Sequence, residues 1–200
     1  MKIVILVEGK TETAFRPMLR EFVHRRIPSE ADRPELAFNK YDGRLPKGDK
    51  LKKRVENELR SGADAVIALT DVYTGTNDFS TAADAKTKMS SWVNNPKFYP
   101  HAALHDFEAW LLPYWDDIKR LSGGNLASPG PNPESVNHHT PPSKRLTALF
   151  RQGGRRDYSK TRDAARILKG QDLLKSANAC PELKAFLNRI LSLSGVTVIQ

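Results

Sequence analysis

The chain has 200 residues, 39% of them hydrophobic and 28% charged, with a net charge of +9, a pI near 9.7 and one cysteine. This composition provides for one substantial core, but no apolar run approaches the roughly 18 residues that a membrane helix needs, and lone Cys180 can form neither an internal disulfide nor a thiolate zinc site. A cytoplasmic protein without membrane association is expected, and the basic excess points to a polyanionic partner, because Lys and Arg gain affinity by releasing counterions from phosphates.

Lys2 to Val7 is a continuous β-branched apolar run that stops at Glu8-Gly9, the pattern of a strand buried on both faces. Phe15, Met18, Leu19, Phe22 and Val23 then recur at helical spacing, ending near Ile27-Pro28; Pro17 lacks an N–H, so this helix is expected to start around Thr13 or to kink. A short strand at Leu36 to Asn39, a turn at Asp42-Gly43 and a helix from Lys47 to Arg60 follow. Ala65 to Thr70 is a second apolar run, ending in Asp71, so the strand-then-acid arrangement repeats. A helix over Thr81 to Val93 and a strand over Phe98 to Leu104 lead into His105 to Leu112, which reads as helical.

Ser122 to Pro142 is rich in Pro and Gly and reads as a loop or linker. Beyond it, Ser143 to Phe150, Asp163 to Leu174 and Pro181 to Leu193 carry helical patterning. The expected organisation is an α/β domain with a small parallel sheet over residues 1–121, a linker over 122–142, and a basic helical subdomain over 143–200 packed on the first. Between Lys119 and Lys175 there are twelve Lys and Arg against four acids, so the C-terminal part holds most of the excess charge. A solvated basic surface and a phosphate-binding one are both open readings of that bias.

In open α/β sheets, ligands collect at the carboxyl ends of the strands. Glu8, Asp71 and His105-Asp106 fall at such ends, and clustered carboxylates there call for a cation, Mg²⁺ (or Mn²⁺) being the natural one for hard oxygen donors. On a helix, His105 and Glu108 share a face while Asp106 diverges. Each acid also has a structural alternative: charge compensation at a helix N-terminus for Glu8 and Glu12, an Asx turn for Asp71, capping near Ser80 for Asp78, and a buried His–Glu hydrogen bond for His105 with Glu108. Gly9-Lys10-Thr11 lacks the earlier glycine of a phosphate-binding loop, since Val4 stands there, and His138-His139 has no second ligand cluster.

Val7-Glu8-Gly9-Lys10-Thr11-Glu12, followed by an apolar strand ending at Asp71, resembles the TOPRIM superfamily. Asp71-Val72-Tyr73, Pro100-His101, Leu104 to Leu112 and Pro142-Ser143-Lys144-Arg145 resemble more closely the TOPRIM-like domain-of-unknown-function family 4276. The resemblance implies a Rossmann-like sheet with an Mg²⁺-binding acidic centre. Glu8 would match the superfamily's first-strand glutamate and Asp71 the first acid of its Asp-x-Asp motif. Tyr73 stands in place of the second acid, so Asp78, Asp106 or Glu108 would have to supply the missing ligand. Relatives found beside ATPases in phage-defence clusters imply an ATPase partner.

The resulting expectation is a Mg²⁺-dependent nuclease acting on DNA or RNA in a bacterial defence system. Glu8, Asp71, His105 and Glu108 are its expected catalytic residues. Glu8, Asp71, Asp106 and Glu108 are the candidate metal ligands, and Lys10, Lys144, Arg145, Arg155, Arg156 and Lys160 are the candidate phosphate contacts. The alternative is a catalytically silent module that binds nucleic acid or an ATPase. The sequence leaves the oligomeric state open.

Overall fold

The two apolar runs that end in acids become the central strands of a four-stranded sheet. In the computed structural model, strands β1 (Lys2–Val7), β2 (Glu35–Lys40), β3 (Ala65–Val72) and β4 (Phe98–Leu104) are ordered β2-β1-β3-β4, and every pairing is parallel. The structure describes all residues except 42, 73–77, 136–139 and 155, and except the side chains of 10–13. Helices cover both faces, which is why β1 and β3 are apolar throughout rather than alternating.

Side-chain alternation divides the core in two. Ile3, Ile5 and Val7 of β1, with Ala65, Ile67 and Leu69 of β3, pack against α1 (Lys10–Arg26) and the C-terminal helices. Val4 and Leu6, with Val66, Ala68 and Val72, pack instead against α2 (Gly48–Arg60) and α3 (Ala82–Val93). The same alternation, carried one residue past β1, assigns Glu8 to the α2/α3 face together with Thr70 of β3, and Asp71 of β3 to the opposite one.

Three expectations about helices need correction. Helix α1 begins at Lys10, not Thr13, with Pro17 inside it; burial of Phe15, Met18, Leu19, Phe22 and Val23 outweighs the hydrogen bond that Pro17 removes. Asp163 to Leu174 is not one helix but two, α6 (Arg162–Leu168) and α7 (Leu173–Ala179), separated where Gly170 takes φ +74°. The run from His105 to Leu112 is a 3₁₀ helix over Phe107–Tyr114, preceded by extended Asp106 and followed by α4 (Trp115–Ser122).

The C-terminal helices α5 (Pro142–Gly154), α6, α7 and α8 (Pro181–Leu193) share one continuous core with the sheet through Leu146, Phe150, Ile167 and Phe186. The Pro-rich stretch is tied into it as well. Within a second 3₁₀ turn, Pro133–Ser135, the buried Glu134 accepts hydrogen bonds from Trp110 Nε1 (2.9 Å) and from the Glu182 N–H (3.0 Å) at the start of α8. Helix α5 crosses the end of α4 at Gly153, where an added Cβ would lie 2.0 Å from the backbone of Gly123 and Gly124. Gly153→Ala is therefore expected to cost about 1–3 kcal/mol in a denaturant titration, because backbone rather than a flexible side chain would have to move.

Candidate active site

The carboxyl ends of β1, β3 and β4 lie side by side, and four acids gather there: Glu8 after β1, Asp71 in β3, and Asp106 and Glu108 after β4. They form two groups on either side of the sheet edge.

Glu8 makes the first group. Its side chain is buried; Oε1 accepts hydrogen bonds from the Thr70 hydroxyl and from the Leu45 N–H (3.3 Å), and the Asp71 N–H also points to the carboxylate. Burial raises its pKa, only partly offset by Thr70, by the backbone N–H groups and by the charge of Arg44. A depression beside it is lined by Arg44, Lys47, Asp71, Asp78, Phe79 and Trp92. Arg44 and Lys47 form ion pairs with Asp78, which keep Asp78 below its ordinary pKa, Lys47 contributing most. Asp78 thus closes the rim of the Glu8 depression and does not cap α3, where the Thr81 hydroxyl accepts from the Asp84 N–H at 3.0 Å.

The second group faces the C-terminal helices. Asp106 and Glu108 are both fully buried, and His105 is nearly so. Lys160 Nζ lies 3.4 Å from Glu108 Oε2 and is also within electrostatic reach of Asp71 and Asp106. Burial opposes its charge, but Glu108, Asp71 and Asp106 together hold the ammonium above its ordinary pKa. Asp106 Oδ2 accepts from the Ser143 N–H (3.1 Å) at the start of α5, while its Oδ1 has no hydrogen-bond partner. Burial raises the Asp106 pKa against the bonds from Ser143 and the charge of Lys160. The buried Tyr158 hydroxyl stands near Glu108 but outside hydrogen-bonding geometry.

Asp106 therefore joins Glu108 at Lys160, where helical spacing predicted that it would diverge. The reason is the break before Phe107: Asp106 is extended (φ −140°, ψ 166°), so the three- and four-residue rule does not apply to it.

The oxygen donors suit a hard divalent cation. Among the described residues, however, no three His, Cys, Asp or Glu side chains stand close enough to hold one. Among the described residues, Lys160 is a cation that Asp71, Asp106 and Glu108 face, and Arg44 is one that Glu8 faces.

Of the expected phosphate contacts, Lys144 is exposed. Arg145 instead lies over the Trp115 ring at 5.9 Å, with Nη2 3.4 Å from the Ala127 carbonyl. Arg156 forms a bidentate pair with Asp163 (2.6 and 2.9 Å) and stacks on Phe150 at 4.9 Å. The side chains of Lys10 and Glu12, and residues Asp42, Tyr73, His138, His139 and Arg155, lie outside what the structure describes. Thr70, Tyr158 and Ser143 were not among the residues picked from sequence. Thr70 alone had a partial signal, as a hydroxyl at the end of the β3 run, but that it faces Glu8 follows only from the register of β1 against β3.

The model of the domain of unknown function DUF4276 matches residues 7–191. The chain belongs to that family. No curated protein and no solved structure matches it. The DUF4276 match spans both acid groups and the segments that carry Ser143 and Lys160. The helices of the described chain include none long and apolar enough to cross a membrane.

Proposed function

We propose that this DUF4276 chain is a Mg²⁺-dependent nuclease that hydrolyses phosphodiester bonds in DNA or RNA, with a TOPRIM-like acidic centre. The observation that supports this reading is the gathering of Glu8, Asp71, Asp106 and Glu108 at three adjacent strand ends, beside Arg44, Lys47 and Lys160. Glu8 is the proposed general base. Its raised pKa brings the carboxylate nearer the range in which it accepts a proton from water effectively. Asp71, Asp106 and Glu108 are the proposed cation-facing acids, with Mn²⁺ as a substitute ion, and His105 assists from the same turn. Lys144 and the surrounding basic residues would hold phosphates. A place in bacterial phage defence with an ATPase partner extends the TOPRIM resemblance.

Labelled single- and double-stranded DNA and RNA, incubated with the protein in Mg²⁺, Mn²⁺ or EDTA, test the proposal. Cleavage is expected with either metal and none with EDTA, and Asp71→Asn or Glu108→Gln should lower the rate by at least about a hundredfold. Undiminished cleavage by both variants would remove the site assignment. One observation favours the alternative, a silent nucleic-acid-binding module: Lys160 already neutralises part of the acid cluster. That module would bind nucleic acid in a salt-sensitive manner and cleave none under any metal.

A further inference from the structure

Between Arg44 and Arg54 there are six Lys and Arg against one acid, Asp49. This segment leaves the Glu8 site and becomes α2. The Leu45 N–H donates to Glu8 Oε1, Arg44 and Lys47 line the depression and pair with Asp78, and α2 begins at Gly48. Over its first two turns Leu51 and Val55 are turned into the core, while Lys50, Lys52 and Lys53 are exposed and, among the described residues, form no ion pair. Arg54, next in the chain, is paired with Glu58 at 2.5 Å.

The basic residues of the C-terminal half are engaged differently. Lys119 pairs with Asp116, Arg120 with Asp117, Arg151 with Asp157, and both Arg156 and Arg162 with Asp163. A cation already beside a carboxylate presents little net charge to a phosphate, so the lysines of α2 offer the stronger local field. Lys47, Lys50 and Lys53 also follow one another at three-residue spacing, roughly 4.5 Å apart along the helix axis, and form a ridge along one side of α2. Such a row suits the closely spaced charges of a nucleic-acid strand, about one phosphate per 3.4 Å of rise.

We infer that the first two turns of α2 are a phosphate-binding ridge, on which Lys50, Lys52 and Lys53 hold a nucleic-acid backbone and lead it to the depression at Glu8. The inference rests on the reading of the chain as a nuclease and gives the side of the sheet from which the strand arrives.

Binding of a labelled oligothymidylate, alone and in duplex with oligoadenylate, to the full chain in EDTA is followed by fluorescence anisotropy. Lys50→Gln, Lys52→Gln and Lys53→Gln combined should weaken binding at least about tenfold and reduce the slope of log K against log salt by about 2. Gln is as good a helix former as Lys and the three side chains are exposed, so the fold is retained. Lys144→Gln, Arg166→Gln and Lys169→Gln combined remove the same charge from exposed C-terminal positions and should weaken binding less than about threefold. Tryptophan emission, read with unlabelled strand, places the nucleic acid. Trp92 lines the Glu8 depression and is half-buried whereas Trp110 and Trp115 are buried, so the strand should shift the emission of the parent chain but not that of Trp92→Phe. Equal weakening by the two triple variants would overturn the ridge, since net charge alone would then account for binding. Unchanged emission at saturation would overturn its course to Glu8, and polyglutamate bound as tightly as the oligonucleotide would assign the ridge to an acidic polypeptide instead. In each of these cases cleavage that depends on Asp71 and Glu108 leaves the nuclease reading standing. A parent chain that neither binds nor cleaves nucleic acid overturns both.

Discussion

Glu8→Gln is expected to lower cleavage by about a hundred- to ten-thousandfold, the range a positioned general base supplies, and at the same time to stabilise the protein at neutral pH. The two effects share one cause. Glu8 sits in a site that favours its neutral form, because burial costs the carboxylate more than Thr70, the N–H groups and Arg44 return. A carboxyl whose pKa is raised on folding binds more protons in the folded chain than in the unfolded one. Its contribution is therefore most favourable below the unfolded value of 4.5 and is lost as pH rises through the higher folded value. Gln keeps an oxygen for Thr70 and Leu45 but cannot ionise. In EDTA, Glu8→Gln should melt about 2–4 °C above the parent chain at pH 7.5, an effect of about 1 kcal/mol, and level with it near pH 4. Equal melting at both pH values would show that the Glu8 site does not penalise charge. Unchanged cleavage would remove Glu8 from the chemistry even if the stability effect appeared.

That Glu8 and Asp71 lie near the carboxyl ends of core strands was legible because β1 and β3 are continuous apolar runs, and a buried parallel strand gives few other patterns. Their neighbourhood in the sheet follows from the crossover helices between them. What could not be read is how the acids are distributed across the sheet edge. Alternation places Thr70 with Glu8 and turns Asp71 the other way, and this depends on strand bounds to the residue. The expected divergence of Asp106 from Glu108 failed for a related reason: periodicity does not reveal that the helix starts at Phe107 and is 3₁₀.

The basic residues show a second limit. Arg145, Arg156 and Lys160 look alike in a charge count, yet the first lies against Trp115, the second is paired with Asp163, and the third enters the acid cluster. Each partner except Asp163 is more than 25 residues away, so no local pattern announces it. The charge of +9 therefore overstates the positive surface offered to a polyanion, although Lys144 and Lys160 are both exposed.

Asp163→Ala is expected to be the most disruptive substitution outside the strand-end acid groups, because this one buried carboxylate organises the whole strap that presents Lys160. Asp163 is 1% exposed and accepts from both terminal nitrogens of Arg156, from Arg162 Nε (3.3 Å) and from the Ser159 N–H. Removing it leaves Arg156 stacked on Phe150 without a counter-charge and releases the first turn of α6. Breaking a buried pair from one side costs about 3–5 kcal/mol; with Arg156 34% exposed, about 2–3 kcal/mol is the reasonable expectation. Burial works to raise the Asp163 pKa, but Arg156, the Ser159 N–H and Arg162 outweigh it and hold the group below 3.8. Its stabilising effect is thus complete above that value and fades as pH falls through the lower folded value, so the gap between Asp163→Ala and the parent chain should narrow in acid. The strap carries Tyr158 and Lys160, so the same substitution should loosen the Lys160 contact with Glu108. In the ¹³C NMR spectrum of the chain with reductively methylated lysines, which keep their charge, the Lys160 resonance should then resemble that of an exposed lysine. A destabilised Asp163→Ala chain whose Lys160 resonance has not moved would show that Lys160 is held by the acids alone, independently of the strap.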